Sequence, residues 1–303
     1  MPSQPSVLVT LDGDVRDPDQ PLLTADDLAA VRGDGVFETL LIRDGRACKV
    51  EAHLHRLARS AAMMDLPEPD LAAWRRAIGT AVAQWNSVTR NSVTRNSRTA
   101  AEGALRLVCS RGRESGSGPT AYLMVSALAD RVAVARRDGV AAVLLDRGLP
   151  AAGVAEMPWL LAGAKTLSYA VNMAALRHAA VLGADDVIFV SSDGYILEGP
   201  RSTVVIATGD ADRPRFLTPP LSHPILRGTT QQALFDVASA KGYDCDYAAL
   251  RPADLDAAQG IWLVSSITLG ARVHTLDGHP KNCAPGLAGL VAELVDAAIA
   301  GDR

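Results

Sequence analysis

Apolar and polar residues alternate along the first part of the chain in short runs, a spacing that is typical of strands with one buried face. The pattern predicts strands over residues 7–11, 36–42, 47–50, 104–109 and 122–128. The apolar spacing becomes helical over residues 53–61 and 71–85. The next stretch, residues 129–138, is charged enough that we expect it to be a linker between two domains.

The second part of the chain combines strands with longer helices. Strands are predicted over residues 139–146, 187–191, 195–198, 202–207 and 261–265, and helices over residues 168–182, 229–241 and 287–300. Gly183 and Gly242 follow two of these helices, as helix-ending glycines do. We therefore expect one domain over residues 1–128 and a larger one over residues 139–303.

A tandem pentapeptide, Asn-Ser-Val-Thr-Arg, occupies residues 86–90 and again 91–95. It is too short to be a unit of a repeat fold. We expect an exposed loop between a helix and a strand.

Composition narrows the class of protein. The chain has 303 residues, 48% hydrophobic and 21% charged, as in an ordinary soluble globular protein. Its net charge of −4 does not indicate the basic surface that nucleic-acid binding requires. No stretch approaches the roughly 18 uninterrupted apolar residues of a membrane span, and no signal peptide is evident. The four cysteines are widely separated, so we expect free thiols in a cytoplasmic enzyme.

Lys165 is the first candidate for chemistry. It is one of four lysines and lies in the apolar segment 157–172, with no acidic residue within eight positions on either side. Loss of hydration there favours the neutral amine, which is the form that makes a Schiff base with an aldehyde. On composition alone, a helix lysine whose head reaches solvent is the more common interpretation.

Three further segments have residues suited to binding an aldehyde that carries a phosphate. Glu198, at a strand end, is placed to hold a ring nitrogen protonated, or else to pair with Arg201. The helix start at Gly228-Thr229-Thr230 suits a phosphate, although a simple threonine cap is more common. Arg56 suits a bidentate contact to phosphate, although most helix arginines are solvated.

We expect no metal site. His53 and His55 are two positions apart and do not share a helix face, and no cysteine or carboxylate cluster completes a ligand set.

Six blocks in order resemble the fold-type-IV pyridoxal-phosphate enzymes. They are Arg32-Gly-Asp-Gly-Val-Phe-Glu-Thr39, His53-Leu-His-Arg-Leu57, Ala164-Lys-Thr-Leu167, Asp193-Gly-Tyr-Ile-Leu-Glu-Gly199, the stretch from Leu217 to Thr230, and Ser265-Ser-Ile267. The resemblance implies an α/β fold of two domains, a small N-terminal α/β domain and a larger C-terminal one, with pyridoxal 5'-phosphate in the cleft between them. It also implies a homodimer that acts on a small-molecule substrate.

The same resemblance implies roles for individual residues. Lys165 matches the Schiff-base lysine that shuttles the substrate proton, and Glu198 matches the carboxylate on the pyridine nitrogen. The positions that match contacts to the cofactor or its phosphate are Arg56, Ser202, Thr229, Thr230 and Ser266. Thr203 stands where asparagine is usual, and Tyr169 lies one position short of the tyrosine that contacts the cofactor's phenolic oxygen.

Among branches of the family, the chain is most similar to the 4-amino-4-deoxychorismate lyases. Phe37 replaces the tyrosine of D-amino-acid aminotransferases, and the stretch after Cys109 lacks their Arg-x-His pair. A lyase removes a proton from the ring carbon that bears the amine and expels pyruvate, which gives 4-aminobenzoate for folate biosynthesis. We expect Phe37, Arg111 and Arg113 to contact the substrate. A branched-chain or D-amino-acid aminotransferase, and a non-catalytic relative, are the alternatives.

Overall fold

The structure is a computed structural model that describes residues 5–92, 101–116, 118–210 and 213–300. The chain divides into two compact units. The first comprises Met1–Ala129 together with Ala164–Tyr169, and the second comprises Asp130–Gly163 and Ala170–Arg303. The segment around Lys165 therefore belongs to the first unit, although it lies between two parts of the second along the chain.

A six-stranded antiparallel sheet forms the centre of the first unit. Its strands are β1 (Ser6–Thr10), β2 (Val15–Arg16), β3 (Gly35–Arg43), β4 (Arg46–Ala47), β5 (Gly103–Ser110) and β6 (Thr120–Ala127), in the order β2-β1-β6-β5-β3-β4. Burial alternates along the middle of β3 and β6, as the sequence pattern predicted, whereas β1 buries three consecutive residues. Val9, Leu107 and Leu123 lie side by side on one face and are fully buried.

Three helices lie in the described part of the first unit, and the two longer ones pack against that sheet. They are α1 (Leu28–Arg32), α2 (Val50–Met63) and α3 (Leu71–Ser92). On α3 the buried residues include Trp74, Ile78, Ala81 and Trp85, which are spaced three or four apart and so share one helix face. α2 lies against β3 and α3 against β1 and β6.

The expected loop at the tandem pentapeptide is wrong for residues 86–92. α3 continues through them, since Thr89 Oγ1 donates to the Trp85 carbonyl at 2.7 Å and Asn86 Nδ2 donates to the Gly45 carbonyl at 2.9 Å. These polar side chains satisfy backbone groups on and beside the helix. The rest of the tandem pentapeptide, residues 93–95, lies outside the described residues.

The second unit is built on a mixed sheet. Its strands are β7 (Val140–Asp146), β8 (Asp186–Val190), β9 (Thr203–Asp210), β10 (Arg213–Thr218), β11 (Asp244–Tyr247), β12 (Gly260–Ser265), β13 (Leu269–Leu276) and β14 (His279–Pro280). The order is β11-β10-β9-β12-β13-β7-β8, with β14 on β13. The pairs β10–β11, β7–β13 and β7–β8 are parallel and the others antiparallel.

Five α-helices and two short 3-10 helices complete the described part of the second unit. They are α4 (Asp130–Asp138), α5 (Ala170–Val181), α6 (Thr229–Ala240), α7 (Pro252–Ala257) and α8 (Leu287–Ala300), with the 3-10 turns Val154–Glu156 and Pro158–Leu160. The stretch predicted as a linker is α4, which buries Val132 and Ala135 and lies against β13. The domain boundaries drawn from the sequence stay a prediction.

No helix in the described ranges is long and apolar enough to cross a membrane. Cys48, Cys109, Cys245 and Cys283 are all free thiols.

Candidate active site

Lys165 lies in an extended segment that continues the first sheet beside β3. The Phe37 N–H donates to the Lys165 carbonyl at 3.0 Å, and the Leu167 N–H donates to the Gly35 carbonyl at 2.8 Å. The Lys165 N–H in turn donates to Ser60 Oγ on α2, also at 3.0 Å. Three backbone bonds therefore fix the segment against a strand and a helix of the same unit.

The amine of Lys165 lies against aromatic rings. Its Nζ is 4.4 Å from the centroid of the Phe37 ring and 6.0 Å from that of Tyr169. These two rings meet edge to face, with centroids 5.4 Å apart. The structure thus brings Phe37, Lys165 and Tyr169 together, and the flexible lysine chain is confined between two rings.

Arg56 is buried on α2 and is held by an acid that the sequence did not single out. Its Nε and Nη2 donate to the two oxygens of Glu38 on β3, both at 2.7 Å. His53 Nδ1 lies 2.7 Å from Glu38 Oε2. Glu38 and His53 are essentially inaccessible to solvent, and Arg56 is 7% exposed. We call Glu38, His53 and Arg56 the buried ion cluster.

Opposing effects set the ionisation of this cluster. Burial alone would raise the pKa of Glu38, but the charge and hydrogen bonds of Arg56, and then of His53, hold the pKa of that carboxyl far below its usual range. Burial lowers the pKa of His53, with Glu38 acting against it and the positive charges of Arg56 and Lys165 adding to it. The cluster is therefore an ionised Glu38–Arg56 pair beside a neutral His53 whose Nδ1–H donates to the carboxylate.

One signal in the sequence pointed to Glu38. Glu38 lies on an apolar strand, on the same strand face as Val36 and Leu40, which are both buried. A charged residue at such a position needs an opposite charge. The chain offers many arginines, and only the tertiary contact between α2 and β3 selects Arg56.

Glu198 belongs to the hairpin predicted at Asp193-Gly194. Leu197 N–H donates to the Phe189 carbonyl and Phe189 N–H donates to the Glu198 carbonyl, each at 2.9 Å. Glu198 Oε2 accepts a 3.0 Å hydrogen bond from the Leu226 N–H.

The alternative sequence interpretation paired Glu198 with Arg201. In the structure Arg201 Nη2 lies 3.8 Å from Asp186 Oδ2 instead.

The residues of the second unit that the sequence predicts to bind phosphate lie at or beside the start of α6. Gly228 is the helix N-cap and makes no side-chain cap, and Thr229 and Thr230 follow it buried. Thr230 Oγ1 donates to Ser266 Oγ at 3.4 Å. Helix starts attract anions because their first N–H groups point outward and the helix dipole is positive there.

The turn that contains Ser266 is fixed from both sides. Ser265 Oγ accepts from the Thr268 N–H at 3.1 Å, and Arg136 Nε donates to the Ile267 carbonyl at 3.0 Å. Arg136 lies on α4, so the charged stretch expected to be a linker holds the turn beside α6. Sequence reasoning missed this role because nothing in the chain's pattern pairs α4 with residue 267.

Two glycines lie where any side chain would collide with a neighbouring hydroxyl. A Cβ on Gly228 would press against Thr203 Oγ1, and a Cβ on Gly199 would press against Ser202 Oγ. Ser202 Oγ is buried without a hydrogen-bond partner. A buried orphan hydroxyl and a side-chain-free helix start fit a ligand that brings acceptor oxygens, which is what a phosphate does.

Arg111 and Arg113 both hold acids of their own unit. Arg111 Nε donates to Asp34 at 2.7 Å and its Nη2 donates to the Met64 carbonyl at 2.6 Å, while Arg113 Nε donates to Asp26 at 2.9 Å. Both arginines line one cavity of about 610 Å³. Their contact with a substrate stays a prediction.

The sequence of the chain matches a known protein family and a known protein. The amino-transferase class IV family model matches residues 35–276. A protein of Mycobacterium tuberculosis named bifunctional aminodeoxychorismate lyase / D-amino acid transaminase is 67% identical over 98% of this chain and 100% of its own length.

Solved structures agree with the sequence matches. A hypothetical aminotransferase from Mycobacterium tuberculosis in its PLP-bound form has 67% identity, covers 99% of this chain and 100% of its own, and superposes with a TM-score of 0.92. The same protein has been solved in an α-ketoglutarate and PMP bound form. A fold IV transaminase from Curtobacterium pusillum has 41% identity over 98% of each chain, with a TM-score of 0.86.

Proposed function

Because this chain belongs to the class IV aminotransferase family and is a pyridoxal-phosphate-dependent enzyme, we propose that it eliminates pyruvate from 4-amino-4-deoxychorismate to release 4-aminobenzoate. We propose also that the same site transfers amino groups between D-amino acids and 2-oxo acids. The observation that supports both is the relative of 67% identity, whose name joins the two activities. The family expected from the six sequence blocks is confirmed.

Pyridoxal phosphate, when bound, withdraws electrons from the carbon that bears the substrate amine. Lys165 is the residue we propose to bind the cofactor aldehyde and to carry the substrate proton on Nζ. Ser60 and Phe37 hold its backbone, so the reach of Nζ is set by its own side chain and by the Phe37 ring. A fixed base close to the proton is the geometry that general base catalysis needs.

Glu198 is proposed to keep the pyridine nitrogen protonated. The Leu226 N–H bond to Oε2 orients the carboxylate. Arg56, Thr229, Thr230 and Ser266 are the proposed phosphate contacts, with Thr229 acting through its N–H. Ser202 is the proposed hydroxyl contact to the cofactor, and its orphan Oγ supports this.

Phe37, Arg111 and Arg113 are the proposed substrate contacts. Phe37 lies against the Lys165 amine, which supports a place beside the reacting carbon. Arg111 and Arg113 each already bind an acid of the protein. Each guanidinium group would therefore bind a substrate carboxylate alongside that acid.

We propose that the enzyme is a cytoplasmic homodimer. Helix α5 supports this, since Val171, Val181 and Leu182 at and beside it are 54%, 83% and 56% exposed. Apolar side chains gathered on one exposed helix mark surfaces that another protein covers. Light scattering at micromolar concentration should give the mass of two chains, and a mass of one chain would contradict the proposal.

The decisive assay for the lyase offers 4-amino-4-deoxychorismate as sole substrate. Elimination consumes no amino acceptor, so pyruvate should appear over many turnovers, whereas a transaminase stops after one. A second assay offers D-alanine with 2-oxoglutarate, and leucine in place of D-alanine tests the branched-chain alternative. Absence of pyruvate in the first assay would remove the lyase activity and leave the aminotransferase.

A third test addresses Lys165 itself. Borohydride reduction should attach the cofactor to a single peptide that contains Lys165. Labelling of Lys49, Lys241 or Lys281 would contradict its assignment.

A further inference from the structure

The pairing of the extended segment with β3 ends at Lys165 itself. The Leu167 N–H donates to the Gly35 carbonyl, and the Phe37 N–H donates to the Lys165 carbonyl. Opposite residues that are hydrogen-bonded in an antiparallel ladder exchange two bonds, so the Lys165 N–H would return to the Phe37 carbonyl. It donates instead to Ser60 Oγ at 3.0 Å. The ladder therefore ends where a side chain of α2 takes the place of a strand carbonyl.

The position of the Lys165 amine depends on this point of the backbone. Lys165 and Phe37 are opposite residues of the ladder, so their side chains project from the same face. The Nζ atom accordingly lies 4.4 Å from the centroid of the Phe37 ring. A change in the path of the backbone at Lys165 would move Nζ along that face. Ser60 is a group outside the strand pair that fixes this path.

Ser60 lies in a fully buried part of α2. Its side chain is inaccessible to solvent, as are those of its helix neighbours Leu57 and Ala61. Because residues four apart share a helix face, Arg56 lies one turn before Ser60 on the same face. One helix therefore carries both the proposed phosphate contact and the hydroxyl that holds the backbone of the lysine.

We propose that Ser60 is a positioning residue for Lys165. Its hydroxyl holds the backbone where the ladder ends, and so it sets the place of Nζ relative to a cofactor whose phosphate Arg56 binds. When Nζ joins the cofactor aldehyde, a C=N bond forms and the aldehyde oxygen leaves as water, which requires Nζ to reach the aldehyde carbon. The inference rests on the proposed function, because it concerns the lysine that is proposed to bind the cofactor.

Two forms of the cofactor separate this role from a purely structural one. Pyridoxal phosphate has the aldehyde that reacts with a lysine, whereas pyridoxamine phosphate has the same ring and phosphate without an aldehyde. Ser60→Ala should weaken binding of pyridoxal phosphate about 3- to 10-fold, as for one lost hydrogen bond, and leave binding of pyridoxamine phosphate within about 1.5-fold. Titration of the apoprotein measures both dissociation constants. Ser60→Cys, whose thiol is a weak acceptor, should give an intermediate loss.

A double variant tests whether the effect passes through the lysine. In Lys165→Ala the aldehyde has no amine at this position to react with, while the backbone N–H that Ser60 accepts is retained. Adding Ser60→Ala to that variant should therefore not weaken binding of pyridoxal phosphate further. Such non-additivity is the signature of two residues that act together.

Turnover gives a second measure of the position of Nζ. With D-alanine and 2-oxoglutarate, and with saturating pyridoxal phosphate, Ser60→Ala should lower kcat roughly 10- to 100-fold, because a displacement of about 1 Å has effects of this size. KM for each substrate should change much less, since Ser60 is not proposed to contact substrate.

Thr89→Val is the matched control. Thr89 is also buried on a helix of the first unit, and its Oγ1 donates to the Trp85 carbonyl at 2.7 Å. Removal of either hydroxyl should lower the unfolding free energy by a similar amount. Thr89→Val should nevertheless change neither dissociation constant nor kcat.

Equal losses of affinity for the two cofactor forms in Ser60→Ala would show a purely structural role and overturn the inference. Unchanged affinity for both forms would also overturn it, as would a loss that persists in the Lys165→Ala background. If the wild type acts on neither 4-amino-4-deoxychorismate nor D-alanine, the proposed reactions fail. The inference is then judged on the two affinities, which do not depend on turnover.

Discussion

The two units offer the cofactor different kinds of group. In the first unit the anion-binding candidate is Arg56, which is part of the buried ion cluster with Glu38 and His53. In the second unit the candidates at the start of α6 are backbone N–H groups and the hydroxyls of Thr230 and Ser266. The first arrangement binds charge with charge, and its parts also hold the fold together. The second binds charge with dipoles.

This difference predicts how each site fails. Removing a charge from the buried ion cluster leaves its partner in the core without compensation, so stability and cofactor binding are lost together. The groups at the start of α6 are uncharged, so changing one of them should affect cofactor binding more than the fold. Four predictions test this contrast.

The largest effect is expected from Arg56→Ala. It leaves the Glu38 carboxylate in the core without its positive partner, which typically lowers the unfolding free energy by about 3–5 kcal/mol. Denaturant unfolding of the apoprotein measures it. The control is Arg75→Ala, because Arg75 makes the same two-point contact with Glu51 at 2.7 and 2.8 Å but on the surface. That variant should lose at most about 1 kcal/mol.

The double variant Arg56→Met with Glu38→Leu separates the two functions of the cluster. Apolar replacement of both partners should restore much of the stability, while cofactor affinity stays low. Recovery of cofactor affinity together with stability would contradict a phosphate contact by Arg56.

The next effect is acid destabilisation. Glu38 and His53 both have lowered pKa values in the folded chain, so the unfolded chain takes up protons first. Stability from His53 is present above pH 6.5 and is lost below it, and stability from Glu38 is lost below pH 4.5. Each unit of pKa difference is worth about 1.4 kcal/mol.

Urea unfolding from pH 7.5 to pH 4 measures this loss. His53→Gln should remove the part that begins near pH 6.5 and retain the lower one. A stability that does not change between pH 7.5 and pH 5 in the wild type would contradict a neutral, buried His53.

A smaller effect on the fold is expected from Gly228→Ala. The new methyl group would press on Thr203, and overpacking of this kind typically costs about 1–3 kcal/mol. Cofactor affinity, measured by absorbance titration, should fall more than this cost explains. Thr203→Ala in the same chain should relieve the contact. Gly289→Ala is the control, since its Cβ meets nothing within 4 Å.

The smallest effect is expected from Thr230→Val. It removes one hydroxyl beside Ser266, so cofactor affinity should fall about 2- to 10-fold, as for one hydrogen bond of about 0.5–1.5 kcal/mol. Thr208→Val, which alters an exposed threonine of the same unit, is the control. A change in unfolding free energy as large as that of Arg56→Ala would remove the contrast between the two units.

Much of the fold could be predicted from the sequence because its strands and helices have one buried face. The helix predicted over residues 229–241 is α6, and the hairpin at Asp193-Gly194 closes as expected. β10 and β13 were not predicted. Both strands nevertheless alternate between buried and more exposed positions. In β13, for example, Leu269, Ala271 and Val273 are buried and the residues between them are less so, which is a strand pattern that the prediction did not use.

The candidate site was predictable only in part, for a physical reason. Lys165 and Glu198 stand out in the sequence because each is a charge in apolar surroundings. The pairing of Glu38 with Arg56 depends on which helix lies against β3, and that information is in the packing of α2 on β3 rather than in either segment. A sequence motif can place a residue near a site, but its partner must be read from the fold.

The membership of Ala164–Tyr169 in the first unit has a consequence for synthesis on the ribosome. The strand edge at Gly35–Phe37 is translated more than a hundred residues before the segment that binds it. Residues 1–129 emerge without Lys165, so the first unit is finished only after translation has entered the second. A truncated gene that ends at the unit boundary would encode a sheet whose edge at Gly35–Phe37 is unpaired. A chimera that exchanges N-terminal halves between relatives would have to preserve the pairing of that edge with the segment around Lys165.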